Sequence, residues 1–109
     1  MSRIYLSSPH MGEKESKYVL RAFESNWIAP AGPDLEAFEK SISNYVDTNE
    51  QINTLVLNSG TSAIHLGLKL LGVSEGDLVL AQSFTFCATV NPALYEGAEV
   101  VFIDSELDT

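Results

Sequence analysis

Asn58-Ser59-Gly60-Thr61-Ser62-Ala63-Ile64-His65-Leu66 has the residue types of an anion cradle. It joins an apolar run, Thr54-Leu55-Val56-Leu57, to a helical pattern through small residues that let a phosphate approach the backbone. The helical spacing runs from Ala63 through Leu66, Leu70 and Leu71, with Gly72 as a stop. A helix that begins at Gly60 or Thr61 points unpaired N–H groups and the positive end of its dipole at whatever sits above the strand. The same small residues also suit any tight strand-to-helix connection, so the nonamer alone supports both readings. Neither common nucleotide loop is present: there is no Gly-x-Gly-x-x-Gly, and no Lys follows the glycine as in a P-loop.

The elements around this stretch follow from periodicity. Tyr18, Val19, Ala22 and Phe23 share one face of a helix expected between Gly12 and Asn26, with Glu13 and Glu15 where they favour the dipole. Pro33 suits the first position of a second helix, and Leu35, Phe38, Ile42 and Tyr45 follow at spacings of three and four. Asp47 to Asn53 reads as a polar connector into a strand at Thr54. Ser74-Glu75-Gly76-Asp77 turns the chain into a second strand, Leu78-Val79-Leu80-Ala81. Ser83 or Thr85 is placed to cap a helix over Cys87 to Tyr95, which Gly97 ends before the strand Val100-Val101-Phe102-Ile103. The order from Thr54 is βαβαβ, which implies a parallel sheet covered by helices, with ligands gathering at the carboxyl ends of the strands. Both Ser59-Gly60-Thr61 and Ser83-Phe84-Thr85-Phe86 fall at such ends. Such sheets usually contain more strands, so the 109 residues read as the front piece of something longer.

Size and charge narrow the function classes. The chain is 45% hydrophobic, matches one small domain, and has no tract of the roughly 18 apolar residues that a membrane helix needs. Fifteen acidic against six basic residues give a net charge of −9, which repels nucleic acids and anionic lipid surfaces. One cysteine, Cys87, makes no internal disulfide, and Met1-Ser2-Arg3-Ile4 opens no secretory signal, so a reducing cytoplasm is the simplest compartment. No Cys/His cluster suggests a metal. Cys87 is expected to be a small buried residue, His65 a packed helical residue, Lys69 a solvent-facing one, and the acidic residues a solvated face.

With these residues in order, the sequence resembles the N-terminal portion of the DegT/DnrJ/EryC1/StrS family of pyridoxal-phosphate sugar aminotransferases. The carrying blocks are Pro9-His10-Met11-Gly12, Asn26-Trp27-Ile28-Ala29-Pro30, the nonamer from Asn58, Gly76-Asp77 leading to Gln82-Ser83-Phe84-Thr85-Phe86, and Gly97-Ala98-Glu99-Val100-Val101-Phe102-Ile103-Asp104. The resemblance implies an α/β fold, the N-terminal part of the aspartate-aminotransferase type I large domain. Residues 1–50 would supply N-terminal helices and a substrate loop, and residues 51–109 the start of the cofactor-binding sheet. It implies that Gly60 and Thr61 hold the cofactor phosphate through backbone N–H groups and the Thr61 hydroxyl, with Gly60 also near the sugar. It places Phe86 on the face of the pyridine ring, and Asn26, Trp27, Ile28 and Ala29 against the nucleotide-sugar. Without it, Phe86 would be a core aromatic and Trp27 a lid over a helix end.

The combination Leu6-Ser7-Ser8-Pro9-His10-Met11-Gly12 with Ser25-Asn26-Trp27-Ile28-Ala29-Pro30 most resembles the branch that aminates UDP-linked 4-keto-6-deoxy sugars for bacillosamine-type protein and pilin glycosylation. Glutamate would be the donor and a homodimer the assembly. The family's Schiff-base lysine has no match among Lys14, Lys17, Lys40 and Lys69, so the 109 residues alone are expected to lack transaminase activity. Alternatives of other kinds are an inactive phosphate-ligand-binding or assembly module, a 3-keto-sugar aminotransferase, or a sugar dehydratase of the same family.

Overall fold

A computed structural model describes residues 3–46 and 52–106. The chain divides into two compact units, residues 1–54 and 55–109. Most of the polar connector expected from Asp47 lies outside the described residues.

The first unit is a helix pair, α1 (Glu15–Glu24) and α2 (Pro33–Val46). Helix α1 starts later than its apolar pattern suggests. The Glu15 carboxylate reaches back to accept the Gly12 N–H at 2.8 Å, so residues 12–14 form a capped entry. That carboxylate lies below its ordinary value because backbone N–H groups of Glu15 itself, Gly12 and Lys14 bond its charged form. At the other end Trp27 N–H bonds the Ala22 carbonyl and Asn26 N–H the Phe23 carbonyl, both at 3.0 Å, with Asn26 left-handed at φ 54. This is a Schellman ending with Asn in the left-handed place. Pro33 opens α2 as its type predicts, followed by Asp34 and Glu36 in the first turn. An Arg21–Asp34 ion pair joins the helices, and the Arg21 guanidinium lies 4.9 Å from the centre of the Tyr18 ring. Ser43 Oγ accepts the Thr54 N–H at 3.1 Å, fastening residue 54 to α2.

The second unit contains α3 (Gly60–Leu70), β1 (Leu78–Gln82), α4 (Cys87–Tyr95) and β2 (Glu99–Ile103). The two strands are parallel, in a register that runs from Leu78 opposite Glu99 to Gln82 opposite Ile103. Helix α4 makes the crossover and packs on both β2 and α3. The core is small: Val90, Pro92 and Ala93 from α4, with Ala98 before β2. Gly72 and Gly97, at φ 80 and 79, end α3 and α4 in Schellman motifs, with Val73 N–H on the Leu68 carbonyl and Ala98 N–H on the Ala93 carbonyl.

Three expectations are corrected here. Thr54-Leu55-Val56-Leu57 forms no strand among the described residues, whose sheet consists of β1 and β2. A strand exists through its neighbour's hydrogen bonds, and Leu55 and Leu57 stay 64% and 37% exposed without that layer. Neither Ser83 nor Thr85 caps α4; Phe86 occupies the N-cap position without a side-chain bond, and Thr85 Oγ1 instead bonds Thr89 Oγ1 at 3.1 Å. Cys87 is exposed, because it opens the first turn of α4 ahead of the buried face at Val90 and Ala93. Among the described residues, no helix is long and apolar enough to cross a membrane.

Candidate active site

Helix α3 begins at Gly60 because Ser59 caps it. Ser59 is extended (φ −159, ψ 156) and its Oγ accepts the Ser62 N–H at 3.1 Å. Ser62 Oγ in turn donates to Asn58 Oδ1 at 2.8 Å, which fixes the turn before the helix. The Ala63 N–H is taken by the Ser59 carbonyl at 3.1 Å. Among the described residues, that leaves the Gly60 and Thr61 N–H groups of the first turn without a protein acceptor.

Gly60 itself is informative. Its φ is not positive, and a Cβ built on it meets nothing within 4 Å, so neither backbone conformation nor packing inside this chain calls for glycine. The space above it is open. The first turns of α1 and α2 carry Glu15 and Asp34 with Glu36, whereas the first turns of α3 and α4 carry no acidic residue. In a chain of net charge −9, those two helix starts thus have no acidic side chain to offset the positive ends of their dipoles.

The carboxyl end of the sheet forms a polar knot. Ser83 N–H donates to the Ile103 carbonyl at 2.9 Å, Ser83 Oγ to Asp104 Oδ1 at 3.3 Å, and Gln82 Nε2 to Ser105 Oγ at 2.5 Å. The chain leaves this knot through Phe84 and Phe86, which are 92% and 80% exposed. Phe86 is therefore no core residue; its ring stands free at the start of α4.

Sequence reasoning did not find how α3 is fixed to α4. His65 Nε2 donates to Glu96 Oε1 at 2.5 Å and its ring meets Tyr95 edge-on at 5.6 Å. Lys69 Nζ lies 3.1 and 3.2 Å from the two Glu96 oxygens. His65 packs on Tyr95, and Lys69 faces solvent as expected, its side chain 65% exposed, while also pairing with Glu96, whose side chain is 14% exposed and belongs to no solvated face. Glu96 is held below its ordinary value first by the His65 hydrogen bond and then by Lys69. His65 and Glu96 are 31 residues apart, and no local spacing signals such a pair.

In the first unit the expected substrate loop, Asn26, Trp27, Ile28 and Ala29, follows the end of α1. Trp27 Nε1–H donates to the Ala31 carbonyl at 2.7 Å, and the indole lies on Gly32. Trp27 and Ile28 remain 54% and 66% exposed. Gly32 is a residue the sequence reading passed over; its signal was the Gly32-Pro33 pair before α2, a turn dipeptide.

The model of the DegT/DnrJ/EryC1/StrS aminotransferase family matches residues 9–109. EpsN of Bacillus subtilis (strain 168), named as a pyridoxal phosphate-dependent aminotransferase, is 54% identical over 98% of this chain and 27% of its own length. GDP-perosamine synthase of Escherichia coli O157:H7 is 35% identical over all of this chain and 29% of its own length. The sugar aminotransferase Spr1654 of Streptococcus pneumoniae, in its PMP form, superposes with a TM-score of 0.85 at 32% identity, over 99% of this chain and 26% of that one. This chain thus spans under a third of the relatives it matches. The fold is that of the corresponding part of the type I aminotransferases, as the sequence blocks implied. By this match of family model, relatives and fold, the chain belongs to the DegT/DnrJ/EryC1/StrS aminotransferase family.

Proposed function

We propose that this chain supplies the phosphate cradle, the ring-stacking aromatic and the substrate loop of a pyridoxal phosphate-dependent nucleotide-sugar aminotransferase. The observation that carries the reading is the start of α3, where two first-turn amides and the open space over Gly60 meet no partner among the described residues. The names of EpsN and GDP-perosamine synthase support the cofactor and the sugar-nucleotide class.

The donor set suits the cofactor. The Gly60 and Thr61 N–H groups, with the Thr61 hydroxyl, would hold the phosphate, helped by the α3 dipole. The exposed Phe86 ring would lie on the pyridine face and fix the plane of the ring. When bound, pyridoxal phosphate supplies the electron sink through which an amino group passes from donor to keto sugar. Asn26, Trp27, Ile28 and Ala29 would position the nucleotide-sugar. Lys69 lies in an ion pair with Glu96.

The finer reading is a cytoplasmic homodimer that transfers an amino group from glutamate to C4 of a UDP-linked 4-keto-6-deoxy sugar. It rests on the blocks around Pro9 and Trp27 and on the dimer-interface active sites of the family. Amide NMR of the chain titrated with pyridoxal phosphate tests the cofactor reading. Saturable shifts at Gly60, Thr61 and Phe86 are expected, and shifts elsewhere without these three would overturn it.

A further inference from the structure

Trp27 is the single tryptophan of the chain, and the loop that carries it closes on itself. The indole N–H is committed to the Ala31 carbonyl at 2.7 Å. Gly32 lies against the same half of the ring: a Cβ there would stand 1.8 Å from Nε1, 2.5 Å from Cδ1 and 2.9 Å from Cε2. Gly32 also has φ +143, a conformation that L side chains rarely adopt. The pyrrole half of the indole is therefore fixed from two directions, yet the residue stays 54% exposed. Trp27 walls a cleft of about 380 Å3 with Ser25, Pro33 and Ala37, bordered by the Arg21–Asp34 ion pair. That volume falls in the range of small-molecule sites.

We infer that Gly32 is a positioning residue that seats Trp27 as a flat apolar wall for the planar base of a nucleoside diphosphate-linked substrate, with the indole N–H withheld from the ligand. The inference rests on reading residues 26–29 as the substrate loop. A ring whose donor is used inside the protein contributes stacking and no hydrogen-bond readout. Stacking tolerates every base because every base has a π-face. Sugar and phosphate contacts elsewhere must then provide the selectivity.

The test uses the 109-residue chain with UDP, GDP and dTDP as probes, reading Trp27 emission and, for variants at position 27, ligand-observed NMR. All three nucleotides are expected to quench Trp27, with dissociation constants within about threefold of one another. Gly32→Ala is expected to red-shift Trp27 emission and to weaken UDP by about tenfold or more, with the far-UV spectrum unchanged. Trp27→Phe, which keeps a ring but has no N–H, is expected to hold UDP within about threefold of the parent, whereas Trp27→Ala loses it. Unchanged emission in Gly32→Ala overturns the inference, as does a Trp27→Phe loss equal to that of Trp27→Ala. Silence of Trp27 toward all three nucleotides also overturns it, while pyridoxal phosphate shifts at Gly60 and Thr61 would stand. Loss of those shifts with an intact Trp27 response strikes the cofactor reading instead.

Discussion

His65 on α3 and Glu96 just beyond α4 meet at 2.5 Å, and through them the helix that opens at Gly60 is tied to the helix that opens after Phe86. The contact lies at the middle of α3 and just beyond the end of α4, away from both helix starts. It therefore constrains the two helices without occupying their N-termini.

This tie makes stability pH-dependent in a definite direction. The folded Glu96 carboxylate lies below its ordinary value of 4.5, chiefly through His65 and then Lys69. The unfolded chain consequently binds more protons across that window, so the contribution is present above the ordinary carboxylate range and is lost as pH falls through the folded value. Glu96→Gln is expected to lower the melting temperature near pH 7 and to lose less than the parent between pH 6 and pH 3. Thermal unfolding across that range checks it; parallel curves for the two proteins would refute the assignment.

Gly60→Ala separates folding from binding. A Cβ at this position meets nothing within 4 Å, and the φ is not positive, so the folded chain accepts it. Reduced freedom in the unfolded chain should add about 0.4–1 kcal/mol of stability. The same methyl enters the open space above the cradle, so pyridoxal phosphate affinity is expected to fall by about tenfold or more, a loss of 1.4 kcal/mol per decade. Denaturant unfolding and the amide titration read the two effects on one sample.

Phe86→Ala should behave in the opposite way to a core substitution. The ring is 80% exposed and caps nothing, so the change in stability is expected to stay within about 0.5 kcal/mol. Removal of the stacking surface should cost pyridoxal phosphate binding about 0.5–1.5 kcal/mol. A stability loss of several kcal/mol would place the ring in a core and remove it from the site.

Two helix ends and one helix start were legible in the sequence because single residues determine them, whereas the start of α1 and the cap of α4 were not. Pro33 opens α2, and Gly72 and Gly97 take the left-handed positions that end α3 and α4. The strand at Thr54 was not, because an apolar run becomes a strand only when a neighbour completes its ladder. The Phe86 position at the cap of α4 was legible as an aromatic after a strand, but its exposure was not, since burial is a property of the surrounding layers. Glu96 looked like surface charge for the same reason: its partners come from a helix 27 and 31 residues earlier.

The last prediction concerns chemistry. The family's reaction needs a lysine amine to carry the cofactor, and the described contacts place the Lys69 ammonium 3.1 Å from Glu96 Oε2. Lys69 is engaged in that ion pair, and Lys14, Lys17 and Lys40 lie on or beside α1 and α2 in the other unit. The 109 residues are thus expected to bind pyridoxal phosphate by its phosphate and ring, without a stoichiometric covalent link and without transamination of a keto sugar. Borohydride treatment of the chain with pyridoxal phosphate, followed by peptide mass mapping, checks this. Scattered substoichiometric modification of several lysines agrees with the prediction, whereas one stoichiometric adduct accompanied by turnover would show that this chain holds its own catalytic amine.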